Sequence, residues 1–127
     1  MLVADDDPEM LAAVSDAFAG LGYEVATVES GAGLIDRLAN DGPFNLIVTD
    51  VSMPWMDGLK TLRSIRTAGV TTPVIVMTAL RHPHIPSHVR ALGSNAILLH
   101  KPFEVGELAA AAAQLMESGP RGAQQQP

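Results

Sequence analysis

The sequence predicts a doubly wound α/β domain, in which one parallel sheet of five short strands carries helices on both faces. Short apolar runs alternate with amphipathic segments of helical spacing along most of the 127 residues. The apolar runs are continuous rather than alternating, as is typical of strands that are buried on both faces. Strictly alternating strands and helices favour parallel pairing with right-handed crossovers. The length of the chain is that of one domain with a sizeable core.

The first strand is predicted at Leu2–Ala4, and three aspartates end it. Pro8 suits the first turn of a helix, with Asp7 as the N-cap. Apolar residues at three- and four-residue spacing predict a helix from Pro8 to Leu21, which Gly22 caps. Its predicted inner face consists of Leu11, Val14, Phe18 and Leu21.

The middle of the chain repeats this pattern. A second strand is predicted at Tyr23–Val28, and a third is the apolar run that ends at Asp50. Turn residues separate the elements, notably those at positions 40–43. The second helix carries Leu34, Ile35 and Leu38 after the cap Ser30. The predicted inner face of the third helix consists of Leu59, Leu62 and Ile65, before Gly69.

The last third of the chain contains two prolines, Pro83 and Pro86, that exclude a long helix. We predict a fourth strand at Val74–Met77, a loop, a short helix over Pro86–Leu92, a fifth strand at Ala96–Leu99 and a last helix over Val105–Met116. Residues 119–127 have no apolar periodicity and are predicted to be a disordered tail. The predicted domain is therefore residues 1–118, standing alone.

Composition excludes several classes of function. The formal net charge is −6 and the pI is about 5.0, which disfavours direct binding to nucleic acid. The chain has no cysteine, so disulfides and thiol catalysis are excluded. It has no apolar run that could span a membrane and no signal-peptide pattern at its start, so we expect a cytoplasmic protein without membrane contact.

Polar residues stand where the predicted strands end. In a parallel sheet these carboxyl ends share one edge, where ligands bind. Asp5 and Asp6 follow the first strand, Asp50 the third, Thr78 the fourth and Lys101 the fifth. Carboxylates that lie close together require a cation, and hard oxygen ligands suit Mg²⁺. Asp50 could then act as a nucleophile toward a phosphoryl group, and Thr78 could offer its hydroxyl to a phosphoryl oxygen.

These residues belong to short motifs with a known order and spacing. From Leu2 to about Met116 the chain resembles the receiver domain of bacterial two-component response regulators. The matching motifs are Val3-Ala-Asp-Asp, Thr49-Asp50-Val-Ser-Met-Pro54, Met56-Asp57-Gly58, Thr78-Ala79 and Lys101-Pro102-Phe103. The resemblance implies a flavodoxin-like sheet with the strand order 2-1-3-4-5.

The resemblance also implies a role for each matching residue. Asp5 and Asp6 would hold Mg²⁺ or Mn²⁺, together with Asp50 and the backbone carbonyl of Ser52. Asp50 would be phosphorylated from the phosphohistidine of a histidine kinase or of a histidine phosphotransfer protein. The phosphoryl group would be contacted by Thr78 and Lys101, with space left by the small Ala79 and with a cis peptide before Pro102. We assign the remaining aspartate, Asp7, to the helix cap.

The chain departs from the family pattern at two places. Leu98 stands where receivers usually carry an aromatic residue whose rotamer follows the threonine. The interval from Gly93 to Lys101 is one residue longer than usual, so we expect a bulge or an unusual loop near residues 94–96. The helix before this interval is predicted to be short. Because that helix lies on the surface that receivers commonly use for output, we expect an atypical output surface.

Three functions fit this set of residues. The first is a phosphoacceptor regulator that signals by contact with a downstream protein and has no enzymatic activity beyond its own phosphorylation and slow dephosphorylation. The second is a pseudo-receiver that binds a partner without phosphorylation, which Leu98 favours. The third is a small phosphohydrolase, which usually requires a second acid where Ser52 stands. A flavin-binding role is disfavoured because the flavin phosphate would meet the acids after the first strand.

Overall fold

Strands and helices alternate along the chain in the computed structural model, which describes residues 1–51, 58–81 and 83–118. The elements in chain order are β1 (Leu2–Ala4), α1 (Pro8–Gly20), β2 (Ala26–Val28), α2 (Gly31–Asp41), β3 (Ile47–Asp50), α3 (Gly58–Thr67), β4 (Val74–Thr78), α4 (Ile85–Arg90), β5 (Ala96–His100) and α5 (Val105–Ser118). The predicted tail, residues 119–127, lies outside the described residues, as do Ser52, Trp55 and His82.

The strands form one sheet in the order β2-β1-β3-β4-β5, and each neighbouring pair is parallel. The central strands β1, β3 and β4 are buried along their whole length, which explains their continuous apolar sequences. The edge strands β2 and β5 are mostly half-buried. The predicted doubly wound fold and its strand order are confirmed.

Helices cover both faces of the sheet and make two apolar cores. On one face, α2, α3 and α4 pack through residues that include Leu34, Leu62 and Val89. On the other face, α1 and α5 pack through residues that include Phe18 and Leu108. None of the described helices combines the length and the apolar character needed to cross a membrane.

Helix α1 begins as predicted but ends one residue earlier. The side chain of Asp7 accepts a hydrogen bond from the Glu9 N–H, so the predicted N-cap is confirmed. The assignment of Leu21 to the inner face is wrong: its side chain is 54% exposed. The helix ends at Gly20, and Gly22 adopts a φ of 94°, so the chain leaves the apolar stripe before Leu21 can join it.

Strand β2 is three residues shorter than predicted. Its first residue, Ala26, pairs with Leu2, and the Ala26 N–H donates to the Met1 carbonyl oxygen. Residues 23–25 precede this register and therefore have no partner strand in β1. The ring of Tyr23 instead packs edge-on against Phe18, with the centroids 5.3 Å apart.

A bulge in β5 is not present. The β4–β5 register continues without interruption from Val74 opposite Ala96 to Thr78 opposite His100. A turn at residues 94–95 precedes the strand. The amide of Asn95 donates to the Thr71 carbonyl oxygen at 2.7 Å and fixes this turn to the start of β4.

Arg66 joins three segments of the chain at the edge of the sheet opposite the strand ends. Its guanidinium donates to the carbonyl oxygens of Leu92, Val70 and Thr72, at 3.0, 3.0 and 2.7 Å, and to Asn95 Oδ1 at 3.0 Å. Burial lowers the pKa of Arg66 from its ordinary value. Arg66 thus connects the end of α3 to the segments before β4 and β5.

We expect Arg66→Met to lower the free energy of unfolding by about 3 kcal/mol, because hydrogen bonds from a charged donor contribute about 1.5–3 kcal/mol. Urea unfolding followed by circular dichroism measures the change. Arg63→Met is the matched control, since Arg63 is exposed on the same helix. An equal loss in both variants would contradict the structural role of Arg66.

Candidate functional site

Polar residues lie at the ends of four strands, as predicted. Asp50 and Thr78 are the last residues of β3 and β4, and Asp5 and Lys101 directly follow β1 and β5. The Lys101 N–H donates to the Thr78 carbonyl oxygen at 2.7 Å, which fixes the chain after β5 against the end of β4. Parallel pairing therefore brings together residues that are up to 96 positions apart in the chain.

Three carboxylates form a cluster at this edge. One oxygen each from Asp5, Asp6 and Asp50 lies within 4.8 Å of the others. Asp5 is completely buried and Asp50 is 5% exposed, whereas Asp6 is exposed. The cluster is therefore a pocket of negative charge with one side open to solvent.

Lys101 inserts its ammonium group between two of these acids. Its Nζ lies 2.9 Å from Asp5 Oδ2 and 3.5 Å from Asp50 Oδ2. Burial of the ammonium group works to lower its pKa, but Asp5 and Asp50 together raise the pKa by more, and the net shift is upward from 10.5. Lys101 is thus held charged and offsets part of the repulsion between the acids. The sequence predicts only that Lys101 contacts a phosphoryl group. The spacing of Lys101 from Asp5 and Asp50 along the chain gives no indication that these residues pair.

The neighbouring aspartates have separate hydrogen-bonding partners. Asp5 Oδ1 accepts from the Asp7 N–H at 3.0 Å, while Asp7 Oδ1 accepts from the Glu9 N–H at 3.0 Å. Asp5 is therefore held by a backbone donor on one oxygen and by Lys101 on the other. This arrangement fixes the Asp5 side chain and leaves Asp6 as the exposed member of the cluster.

The cluster fits a divalent cation. Three carboxylates face one ammonium group, so the site has an excess of negative charge with two buried members. All its donors are hard oxygen atoms, which are the ligands that Mg²⁺ prefers, and Mg²⁺ usually keeps several waters, which the exposed side at Asp6 allows. Ser52, the predicted carbonyl ligand, lies outside the described residues.

Thr78 is completely buried, and its Oγ1 accepts from the Leu80 N–H at 2.9 Å. This bond orients the side chain at the end of β4 and uses only the acceptor capacity of the hydroxyl. The next residue, Ala79, is exposed. The peptide between Lys101 and Pro102 is cis, as the resemblance implied, and the Gly42–Pro43 peptide is also cis, which the sequence did not predict.

Leu98 lies in β5 opposite Val76 and is half-buried. It packs against the apolar core that α2, α3 and α4 share. The position that carries an aromatic residue in most receivers is thus filled by an aliphatic side chain that extends the core. The Met56-Asp57-Gly58 motif begins outside the described residues.

Comparison with known proteins is consistent with this geometry. Residues 1–113 match the family described as response regulator receiver domain. The DNA-binding transcriptional regulator NtrC of Escherichia coli (strain K12) is 37% identical over 109 residues, which are 85% of this chain and 23% of NtrC. Response regulator MprA of Mycobacterium sp. (strain KMS) is 34% identical over 111 residues, which are 87% of this chain and 47% of MprA.

A solved structure extends the likeness to three dimensions. The chemotaxis response regulator CheY4 of Vibrio cholerae is 28% identical, with a TM-score of 0.79 over 90% of this chain and 95% of that one. The chain spans about a quarter of NtrC and about half of MprA. The match over residues 1–113 agrees with the sheet order and the edge cluster. The chain therefore belongs to the response regulator receiver domain family of two-component signalling.

Proposed function

We propose that Asp50 accepts a phosphoryl group from the phosphohistidine of a histidine kinase or of a histidine phosphotransfer protein. The observation that carries the proposal is the cluster of Asp5, Asp6 and Asp50 at one sheet edge, with the Lys101 ammonium against Asp5 and Asp50. Asp50 is nearly buried at a strand end, where its carboxylate is held in a fixed direction. A phosphoryl donor would reach Asp50 from the exposed side of the cluster, at Asp6.

In the proposed step, a carboxylate oxygen of Asp50 attacks phosphorus. A P–O bond forms, the P–N bond to the donor imidazole breaks, and the imidazole nitrogen keeps the electron pair. Lys101 contacts an oxygen of the transferred group while its bond to Asp5 holds it in place. Thr78 donates its hydroxyl to another oxygen, since its bond to Leu80 uses only the acceptor side.

The metal ion in this proposal is Mg²⁺ or Mn²⁺. Asp5, Asp6, Asp50 and the Ser52 carbonyl would hold it, and when bound it supplies positive charge for the phosphoryl oxygens. Lys101 alone cannot balance three carboxylates and an incoming dianionic group. Phosphorylation is therefore expected to depend on a divalent cation.

The proposed output is a contact with a downstream protein, made by a receiver domain of residues 1–118 in the cytoplasm. The proposal includes no direct contact with nucleic acid or membrane. Ala79 directly follows Thr78, and Leu98 lies in β5 and packs against the core that includes α4, so these are the residues through which a change at Thr78 would pass. Leu98 also motivates the alternative of a pseudo-receiver, because an aliphatic side chain packed into the core lacks the rotamer change of the aromatic residue.

Incubation with a small-molecule phosphodonor tests the proposal. We expect one phosphoryl group to be incorporated in the presence of Mg²⁺ and none after chelation with EDTA, as read from the mass of the intact protein. Equal incorporation with and without EDTA would contradict the metal site. No incorporation with Mg²⁺, together with a folded protein by circular dichroism, would favour the pseudo-receiver.

A further inference from the structure

Charge is divided unevenly along this chain. Eleven of the fourteen Asp and Glu residues precede Gly58, and Arg37 is the only Lys or Arg in that part of the sequence. Residues 58–103 contain no Asp or Glu, but they hold six of the eight Lys and Arg residues and all four His residues. The net charge of −6 therefore conceals a long segment whose charged side chains are all cations or histidines.

The fold places part of this segment on one face of the sheet. Helices α3 and α4 lie on the same face of the sheet, because Leu62 and Val89 pack into the same core. Arg66 joins the end of α3 to Leu92, which follows α4 closely. On this face of the sheet, the exposed side chains Lys60 and Arg63 of α3, His88 and Arg90 of α4, and Arg81 of the loop before α4 are what we term the cationic face.

The arginines of the cationic face have no acidic partner among the described side chains. Arg63, Arg81 and Arg90 form no ion pair with any carboxylate of residues 1–51, 59–81 and 83–116. By contrast, Arg37 lies 3.2 Å from Asp41 on α2. An open groove of about 470 Å³ is lined by Lys60, Arg63, Ser64 and Thr67 on the α3 part of this face. Exposed like charges next to a groove are complementary to an anionic ligand.

We propose that the cationic face binds an acidic segment of a partner protein. A short run of Asp and Glu side chains can match this one surface without approaching the acidic first half of the chain. A nucleic acid or an anionic membrane extends beyond it and would meet exposed acids such as Asp36 and Asp41, and few cations are available for binding to phosphates. The proposal does not rest on phosphorylation of Asp50.

Binding of a short synthetic peptide of Glu and Gly residues tests this proposal. At about 0.15 M salt, where distant charges are screened, we expect amide chemical shifts to change mainly in residues 60–67 and 81–92. Arg63→Glu and Arg90→Glu should each weaken binding about fivefold, the effect of an exposed charge pair. Arg37→Glu, on α2, changes the net charge by the same amount as these two variants but should leave the affinity for the peptide unchanged. Asp50→Asn should also leave it unchanged.

Three results would overturn the proposal. The first is the absence of peptide binding at this salt concentration. The second is an equal effect of Arg37→Glu and Arg63→Glu, which would show that only the total charge matters. The third is tighter binding to a single-stranded oligonucleotide or to anionic lipid vesicles than to the peptide. Because Asp50→Asn should bind normally, failure here and failure of phosphorylation can be told apart.

Discussion

We expect the Asp50→Asn variant to incorporate no phosphoryl group from a phosphodonor that labels the unchanged protein in the presence of Mg²⁺. The amide is nearly the same size as the carboxylate but lacks the anionic oxygen that would attack phosphorus. Lys101 keeps its 2.9 Å bond to Asp5 in this variant, so the sheet edge should stay ordered. Mass spectrometry of the intact protein measures the loss, which should be complete.

Asp7→Asn is the matched control for this experiment. Asp7 is an aspartate of the same segment as the cluster, but it caps α1, a role that Asn also fills well. Labelling of Asp7→Asn should equal that of the unchanged protein. Continued Mg²⁺-dependent labelling of Asp50→Asn would mean that another residue is the acceptor.

The second large effect is expected for Lys101→Met. The substitution leaves Asp5 and Asp50 buried without their shared cation, and removal of one partner of a buried pair costs about 3–5 kcal/mol. The free energy of unfolding, measured with urea in EDTA, should fall by that amount. Labelling with Mg²⁺ should be slower on the order of 10²-fold, the effect of losing one donor to a developing charge.

The pH dependence separates the charge of Lys101 from its packing. Because the pKa of Lys101 is raised in the folded state, its ion pairs contribute stability fully below about pH 10.5 and lose it as the pH rises through the higher value. The difference in unfolding free energy between the unchanged protein and Lys101→Met should therefore be constant near neutral pH and shrink above pH 10.5. A difference that is the same at every pH would assign the effect to packing. Arg90→Met, at an exposed position, is the control.

Much of the fold could be predicted because its strongest signals are local. The continuous apolar runs of β3 and β4 and the spacing of Leu59, Leu62 and Ile65 each identify an element without knowledge of its neighbours. The position of Asp50 follows from the same reasoning, since a charge ends a strand that is buried on both faces.

The errors concern properties that depend on distant residues. Strand β2 starts at Ala26 because β1 offers no earlier partner, which no periodicity within residues 23–28 can reveal. Leu21 continues a helical spacing, but it lies beyond the helix end. The sequence also gives no local signal that Arg66 binds carbonyl groups in two other segments.

The candidate site likewise combines residues that could be predicted from the sequence with contacts that could not. The residue types at the strand ends could be recognised from the sequence, because topology alone brings such ends to one edge. The bond between Lys101 and Asp5 could not, because these residues are 96 positions apart and the pairing depends on how β5 meets the rest of the sheet. The packing of Leu98 into the core is likewise a property of the assembled helices α2, α3 and α4.

We expect Asp50 to carry the phosphoryl group as an acyl phosphate. Borohydride reduction reveals such a group, because it converts an acyl phosphate to an alcohol that peptide mass spectrometry can locate. After treatment with the phosphodonor and Mg²⁺, we expect a reduced residue at position 50 and none in the EDTA sample. A reduced residue at another aspartate, or a phosphoryl group found on one of the histidines, would contradict it.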